Sequence, residues 1–190
     1  NKRYKYLFTN ILAAPFDGFY EMRRRNRGNI WFVVLMYSLF ALMQIANYTM
    51  SGFMVNKNNL QDFNLLKSVA SGLFPFLLFA VANYSITTLG DGKGFLKDIV
   101  KVMGYALFPL LICHALALGL SWIVNGESVV FYYILIVLGY LVFAFYSYIG
   151  LIVIHEYNFR QSVLYLLLTV VAMAAIVFIA VLLLTLFQQL

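Results

Sequence analysis

Five long stretches of this 190-residue chain have interiors without a single Asp, Glu, Lys or Arg, and this constrains its fold more than any other feature. They run over 30–55, 65–89, 102–124, 128–154 and 162–187. A helix needs about 20 apolar residues to cross a hydrocarbon core of roughly 30 Å, and each stretch is long enough. Residues are 64% hydrophobic and 11% charged, against about 25% charged in soluble domains. No soluble fold of this length buries so much apolar surface. The spacing predicts an all-α, polytopic membrane protein with five transmembrane helices plus short cytoplasmic interfacial helices. Residues 1–29 form a basic interfacial segment and 30–190 the five-helix domain.

Charge placement orients the chain. Seven of the 13 Lys and Arg precede the first span: Lys2, Arg3, Lys5, Arg23, Arg24, Arg25 and Arg27. With that end in the cytoplasm, Lys93, Lys97, Lys101 and Arg160 fall on the same side, and only Lys57 and Lys67 lie outside. Eleven against two obeys the positive-inside rule, so the C-terminus is placed extracytoplasmically. The net charge of +6 does not point to nucleic acid, because the basic residues flank apolar spans instead of interleaving with exposed aromatics. They fit membrane lipids, with Arg23, Arg24, Arg25, Lys93, Lys97 and Lys101 as candidate docking or anionic-lipid contacts. Within 1–29, Pro15-Phe16-Asp17-Gly18 reads as a turn between two short interfacial helices.

The link over 83–109 holds the most local information. Gly90-Asp91-Gly92-Lys93-Gly94 reads as turn chemistry. Beyond it, Phe95, Leu96, Ile99, Val100 and Met103 alternate with Lys93, Lys97 and Lys101 at helical spacing. That pattern predicts a basic helix on the membrane surface, with its lysines in water and its apolar face buried, turning into the bilayer near Gly104. Pro75 and Pro109 free the carbonyls of Ser71 and Tyr105 and predict kinks.

Charge-free spans argue against a pump or voltage sensor, which need intramembrane charge. The candidate intramembrane polar or kink positions are Asn83, Tyr105, Pro109, His114, Tyr133, Tyr140 and Ser147. Gln44 and Asn47 are further polar residues of the first span. Tyr133, Tyr140 and Ser147 are seven apart and share a helix face. His114 is the one ionisable group deep in a span, and reads as a neutral imidazole bonded to a neighbouring helix. Ser68 with Gly72, Ala115 with Gly119, and Gly139 and Gly150 are small residues that let helices approach. His155-Glu156 reads as a solvated interfacial pair. The lone Cys113 excludes an internal disulfide. No zinc-ligand spacing, P-loop or nucleophile constellation occurs, so neither cofactor, metal nor catalytic residue is expected.

Three stretches carry a family resemblance. They are Pro15-Phe16-Asp17-Gly18-Phe19-Tyr20 with the Arg cluster and Arg27-Gly28; Ala82-Asn83-Tyr84 through Asp91-Gly92-Lys93-Gly94-Phe95-Leu96-Lys97-Asp98 into Gly104-Tyr105 and Pro109; and Ile154-His155-Glu156-Tyr157. Together, in this order, they resemble the Yip (Ypt/Rab-interacting-protein) domain family of five-span membrane proteins, closest to its bacterial branch. The resemblance implies five helices, a cytosolic N-terminus and no catalytic residues. Eukaryotic relatives bind prenylated Rab-type GTPases, but their acidic-Leu-Tyr-Gly-Pro motif has no counterpart here. Bacterial members often accompany carbohydrate ABC importer genes. The expectation is therefore a non-enzymatic accessory or scaffold subunit in a bacterial plasma membrane, partnered by ABC permease components. The alternative is a small-solute channel or transporter lined by Tyr133, Tyr140, Ser147 and His114.

Overall fold

The computed structural model describes residues 9–24, 28–90 and 92–189. Among these the regular elements are all helical. A short helix over 9–13 precedes α1 (Pro15–Arg24). Five long helices follow: α2 (Ile30–Met50), α3 (Leu65–Leu89), α4 (Leu96–Ser121), α5 (Val129–His155) and α6 (Phe159–Gln188). Each is long and apolar enough to cross a membrane. A 3-10 turn, Leu60–Asp62, interrupts the α2–α3 loop.

Helix starts follow local capping. The Asn29 side chain accepts from the Trp31 N–H and that of Asn64 from the Lys67 N–H, satisfying donors that the first turn leaves free. The Asp98 carboxylate accepts from the Phe95 N–H, and Gln161 Oε1 from the Asn158 N–H. Pro15 opens α1, where its missing N–H costs nothing. Pro15-Phe16-Asp17-Gly18 is therefore the first turn of a helix and not the expected break, which is confined to Ala14. Gly18 lies directly against the Ile11 backbone.

The bundle is built around α4. It is the most enclosed of the long helices and packs against α2, α3 and α5. In lipid, close van der Waals packing takes the place of the hydrophobic drive between helices. The α4–α5 seam shows how: a Cβ on Gly150 would overlap Val102, and one on Gly139 would come within 2.8 Å of the Cys113 Cβ. Gly72 meets the Gln44 side chain of α2. Gly119 has nothing within 4 Å, so the Ala115/Gly119 pair does not mark a seam in this chain. The core runs through Phe40, Phe76, Ile99, Val102, Leu107, Leu110 and Ile154. Helix α1 packs on α5, while α6 packs chiefly on α3.

Two boundaries depart from the sequence reading. Helix α2 stops at Met50 and not near Val55, because Gly52 closes onto the end of α4, its N–H donating to Ser121 Oγ at 2.9 Å. The expected surface helix does not turn at Gly104. Helix α4 is continuous from Leu96, and Gly104 abuts Val33 as a close-packing position. Lys101 is consequently buried, its stem against Gly28, while Lys97 is exposed. Ile99 is fully buried, but Phe95 and Leu96 are exposed. Both Pro75 and Pro109 lie inside helices that continue past them.

Candidate functional site

The ends of α3, α5 and α6 meet the α3–α4 loop at a buried polar knot. Helical spacing puts Asn83 and Thr87 one turn apart at the end of α3, and the Thr87 hydroxyl donates to the Asn83 carbonyl at 2.7 Å. Asn83 Nδ2 donates to Thr169 Oγ1 of α6 at 3.0 Å, and that hydroxyl donates to the Tyr165 carbonyl at 2.7 Å. Asn83 Oδ1 lies 3.3 Å from His155 Nε2. The Gly94 N–H donates to His155 Nδ1 at 3.3 Å. Because a backbone N–H can only donate, Nδ1 is unprotonated and Nε2 carries the hydrogen that Asn83 accepts. His155 is thus a neutral imidazole with both nitrogens engaged, 2% exposed. The solvated His155-Glu156 pair of the sequence reading is corrected: helix α5 carries His155 inward, and only Glu156 faces out.

Aromatic packing explains the glycines. The rings of His155 and Tyr157 stack at 5.3 Å, and those of Tyr157 and Tyr165 at 4.6 Å. The loop lies across this stack. A Cβ on Gly90 would overlap Tyr165, one on Gly92 would lie 2.5 Å from the Tyr157 hydroxyl, and one on Gly94 would lie 2.8 Å from His155 Cε1. No described glycine has positive φ. The glycine run therefore serves close approach to three rings and not turn conformation. Tyr157 also donates to the Gly90 carbonyl at 3.1 Å. Asp91 lies outside the described residues.

A charged clamp closes over the knot. Arg23 Nη1 donates to the carbonyls of Val153, at 3.2 Å, and of Ile154, capping the negative end of the α5 dipole. It also lies 3.5 Å from Glu156, which Lys93 Nζ contacts at 2.5 Å. The hydrogen bond from Lys93 and the charge of Arg23 hold the Glu156 carboxyl below its ordinary range. Glu156 adopts φ 56°, a left-handed conformation that favours glycine at helix ends. A strained non-glycine residue at a site is a pointer to function. Beside the clamp a cleft of about 530 Å³ is lined by Tyr20, Arg23, Arg24, Val153 and Glu156. The knot itself encloses about 10 Å³, the room of one water molecule.

The remaining candidates scatter. Arg24 is exposed and bonds to Tyr20 of its own helix. Arg25 lies outside the described residues. Lys97 Nζ sits 5.6 Å from the Phe95 ring centroid. Tyr105 is buried, stacks on Phe32 and accepts from the Asn29 N–H at 3.1 Å. Pro109 is half-buried. His114 Nδ1 lies 3.3 Å from Asn47 Nδ2 of α2, and its ring meets Phe40 and Tyr140 edge-on. Tyr133 and Tyr140 are about half exposed, whereas Ser147 is buried, so the shared face does not gather them into one lining. The sequence reading named His155 but placed it in solvent, and it did not single out Thr87 or Thr169. Glycine at every second position of 90–94 was the available signal, since alternate positions of an extended segment share a side. Among the described residues no three His, Cys, Asp or Glu side chains gather as a metal site would require.

The clamp and knot bring together the three stretches that carried the family resemblance, although about 130 residues separate Arg23 from Ile154. No curated protein and no solved structure matches the chain. The Yip1 domain matches residues 9–182, spanning the described helices from the first turn at Thr9 to within two turns of the end of α6. The chain is a membrane protein of the Yip family.

Proposed function

We propose that the chain is a non-enzymatic accessory or scaffold subunit that docks onto other membrane proteins. The observation that carries this reading is the second half of α6. Every residue from Ala174 to Gln189 is exposed, on all sides of the helix, while Ser162 and Thr169 in its first half are buried. A helix anchored at one end and bare at the other offers an apolar surface to a partner helix. The clamp supports the same reading. It ties α1 to the end of α5 and holds the exposed Arg24 and Lys93 about Glu156, a preformed charged face suited to a partner or to anionic headgroups. Both histidine nitrogens at the knot are occupied, which leaves no free base there.

Charge bias favours a cytoplasmic N-terminus and an extracytoplasmic C-terminus. The resemblance to bacterial family members, which accompany carbohydrate ABC importer genes, makes an importer permease the partner we favour, in a bacterial plasma membrane. Cysteine placed at Ala180 and cross-linked in native membranes is expected to trap permease subunits, and affinity purification to recover the ATPase with them. Cross-links confined to a second copy of the chain would overturn the assignment. The channel reading has weaker support, because Tyr133 and Tyr140 lie on an exposed flank.

A further inference from the structure

At the opposite end of the bundle from Arg23, the ends of α2, α3 and α5 and the loop after α2 enclose an open cleft of about 300 Å³. That is at the lower end of the range of about 300–1,000 Å³ for small-molecule sites. Its lining is uncharged, and apart from Val55 every lining residue bears an amide or hydroxyl. Gln44 and Asn47 contribute from α2, Asn56 from the loop, Ser68 from α3 and Tyr132 from α5.

The wall at Asn47 is unfinished. Asn47 Nδ2 donates to His114 Nδ1, so the hydrogen of the imidazole is on Nε2. That Nε2 and Asn47 Oδ1 are both buried without a hydrogen-bond partner among the described residues. His114 is only 4% exposed. Buried polar atoms are nearly always paired, so two adjacent orphans behind a polar cleft are unusual.

We propose that this cleft binds a small, neutral, polyhydroxylated molecule, a polyol or monosaccharide. Amides and serine hydroxyls both donate and accept, and the ligand groups that do the same in every direction are hydroxyls. An ion would find no counter-charge in the lining, and an apolar ligand would leave its amides unpaired. A ligand hydroxyl reaches Asn47 Oδ1 once the Asn47 side chain turns toward the cleft, and Tyr132 closes one side. This is independent of the accessory-subunit reading, because it concerns the isolated chain; either can fail while the other holds.

The test uses the full chain in nanodiscs, with saturation-transfer NMR and competition. Xylitol or glucose is expected to bind saturably, and glutamate and choline not at all. Asn47→Leu is expected to weaken binding roughly tenfold. Ser68→Phe, which places a ring in the cleft, is expected to abolish it with the melting temperature unchanged. If that variant does not fold, Ser71→Ala with Asn58→Ala at the exposed rim is expected to weaken binding several-fold. Failure of both neutral probes to bind saturably, equal binding of the charged probes, or binding unaffected by these substitutions would each overturn the proposal.

Discussion

His155 and His114 are buried to almost the same degree, 2% and 4% exposed, and are treated oppositely by their surroundings. His155 has a partner on each nitrogen, and its partner Asn83 is itself satisfied by Thr169. His114 has one partner, Asn47, and each member of that pair leaves an atom unpaired. Burial therefore does not predict how completely a histidine is paired; the side chains facing it from neighbouring helices do. A fully paired network rigidifies the fold, whereas a partly paired one carries the cost of its unpaired buried atoms.

The largest expected effect breaks this comparison if it fails. His155→Ala strands the Gly94 N–H and Asn83 Oδ1 and opens a cavity, and should cost about 3 kcal/mol. His114→Phe removes the unpaired Nε2 but leaves Asn47 Nδ2 without its acceptor, and because it keeps a ring against Phe40 and Tyr140 it should cost about 1 kcal/mol. Reversible unfolding in mixed micelles measures both. Equal losses would erase the distinction between the two sites.

A middle-sized effect sharpens the account of the glycine loop. Gly94→Ala forces a methyl against the His155 ring and should destabilise by about 2 kcal/mol. Gly119→Ala meets open space inside α4 and should stabilise by about 0.5–1 kcal/mol through helix propensity. If Gly94→Ala were as benign as Gly119→Ala, the loop would not be pressed on the ring stack.

The smallest effect concerns the clamp over the knot. The folded state lowers the Glu156 pKa from its ordinary value of 4.5, so the ion pairs with Lys93 and Arg23 contribute above that value. The contribution is lost as pH falls through the lower folded value. The hydrogen-exchange protection of α1, corrected for the intrinsic pH dependence of amide exchange, should therefore fall on acidification below about pH 4.5. Glu156→Gln should show the lower protection already at neutral pH, with no further acid step from this group. Because Glu156 is exposed, the change should be local and screened by salt. An unchanged acid step in Glu156→Gln would remove Glu156 from the clamp.

The sequence alone determined that the chain is a bundle of five membrane-length helices, because length and absence of charge are local properties read without any neighbour. Asn83 and His114 could be singled out for the same reason, as polar residues inside apolar runs. Partnership was not legible. Asn83 meets Thr169 from 86 residues away, and nothing in the spacing of either helix names the other. Lys101 shows the same limit: its place in a basic stripe matched a surface helix as well as the start of a continuous span. Periodicity records which residues share a face but not what lies against that face. Only the packing of α4 between its neighbours put Lys101 inside and stacked the glycine loop on three rings. The same packing completed the hydrogen bonds of one histidine and left the other with an unpaired nitrogen.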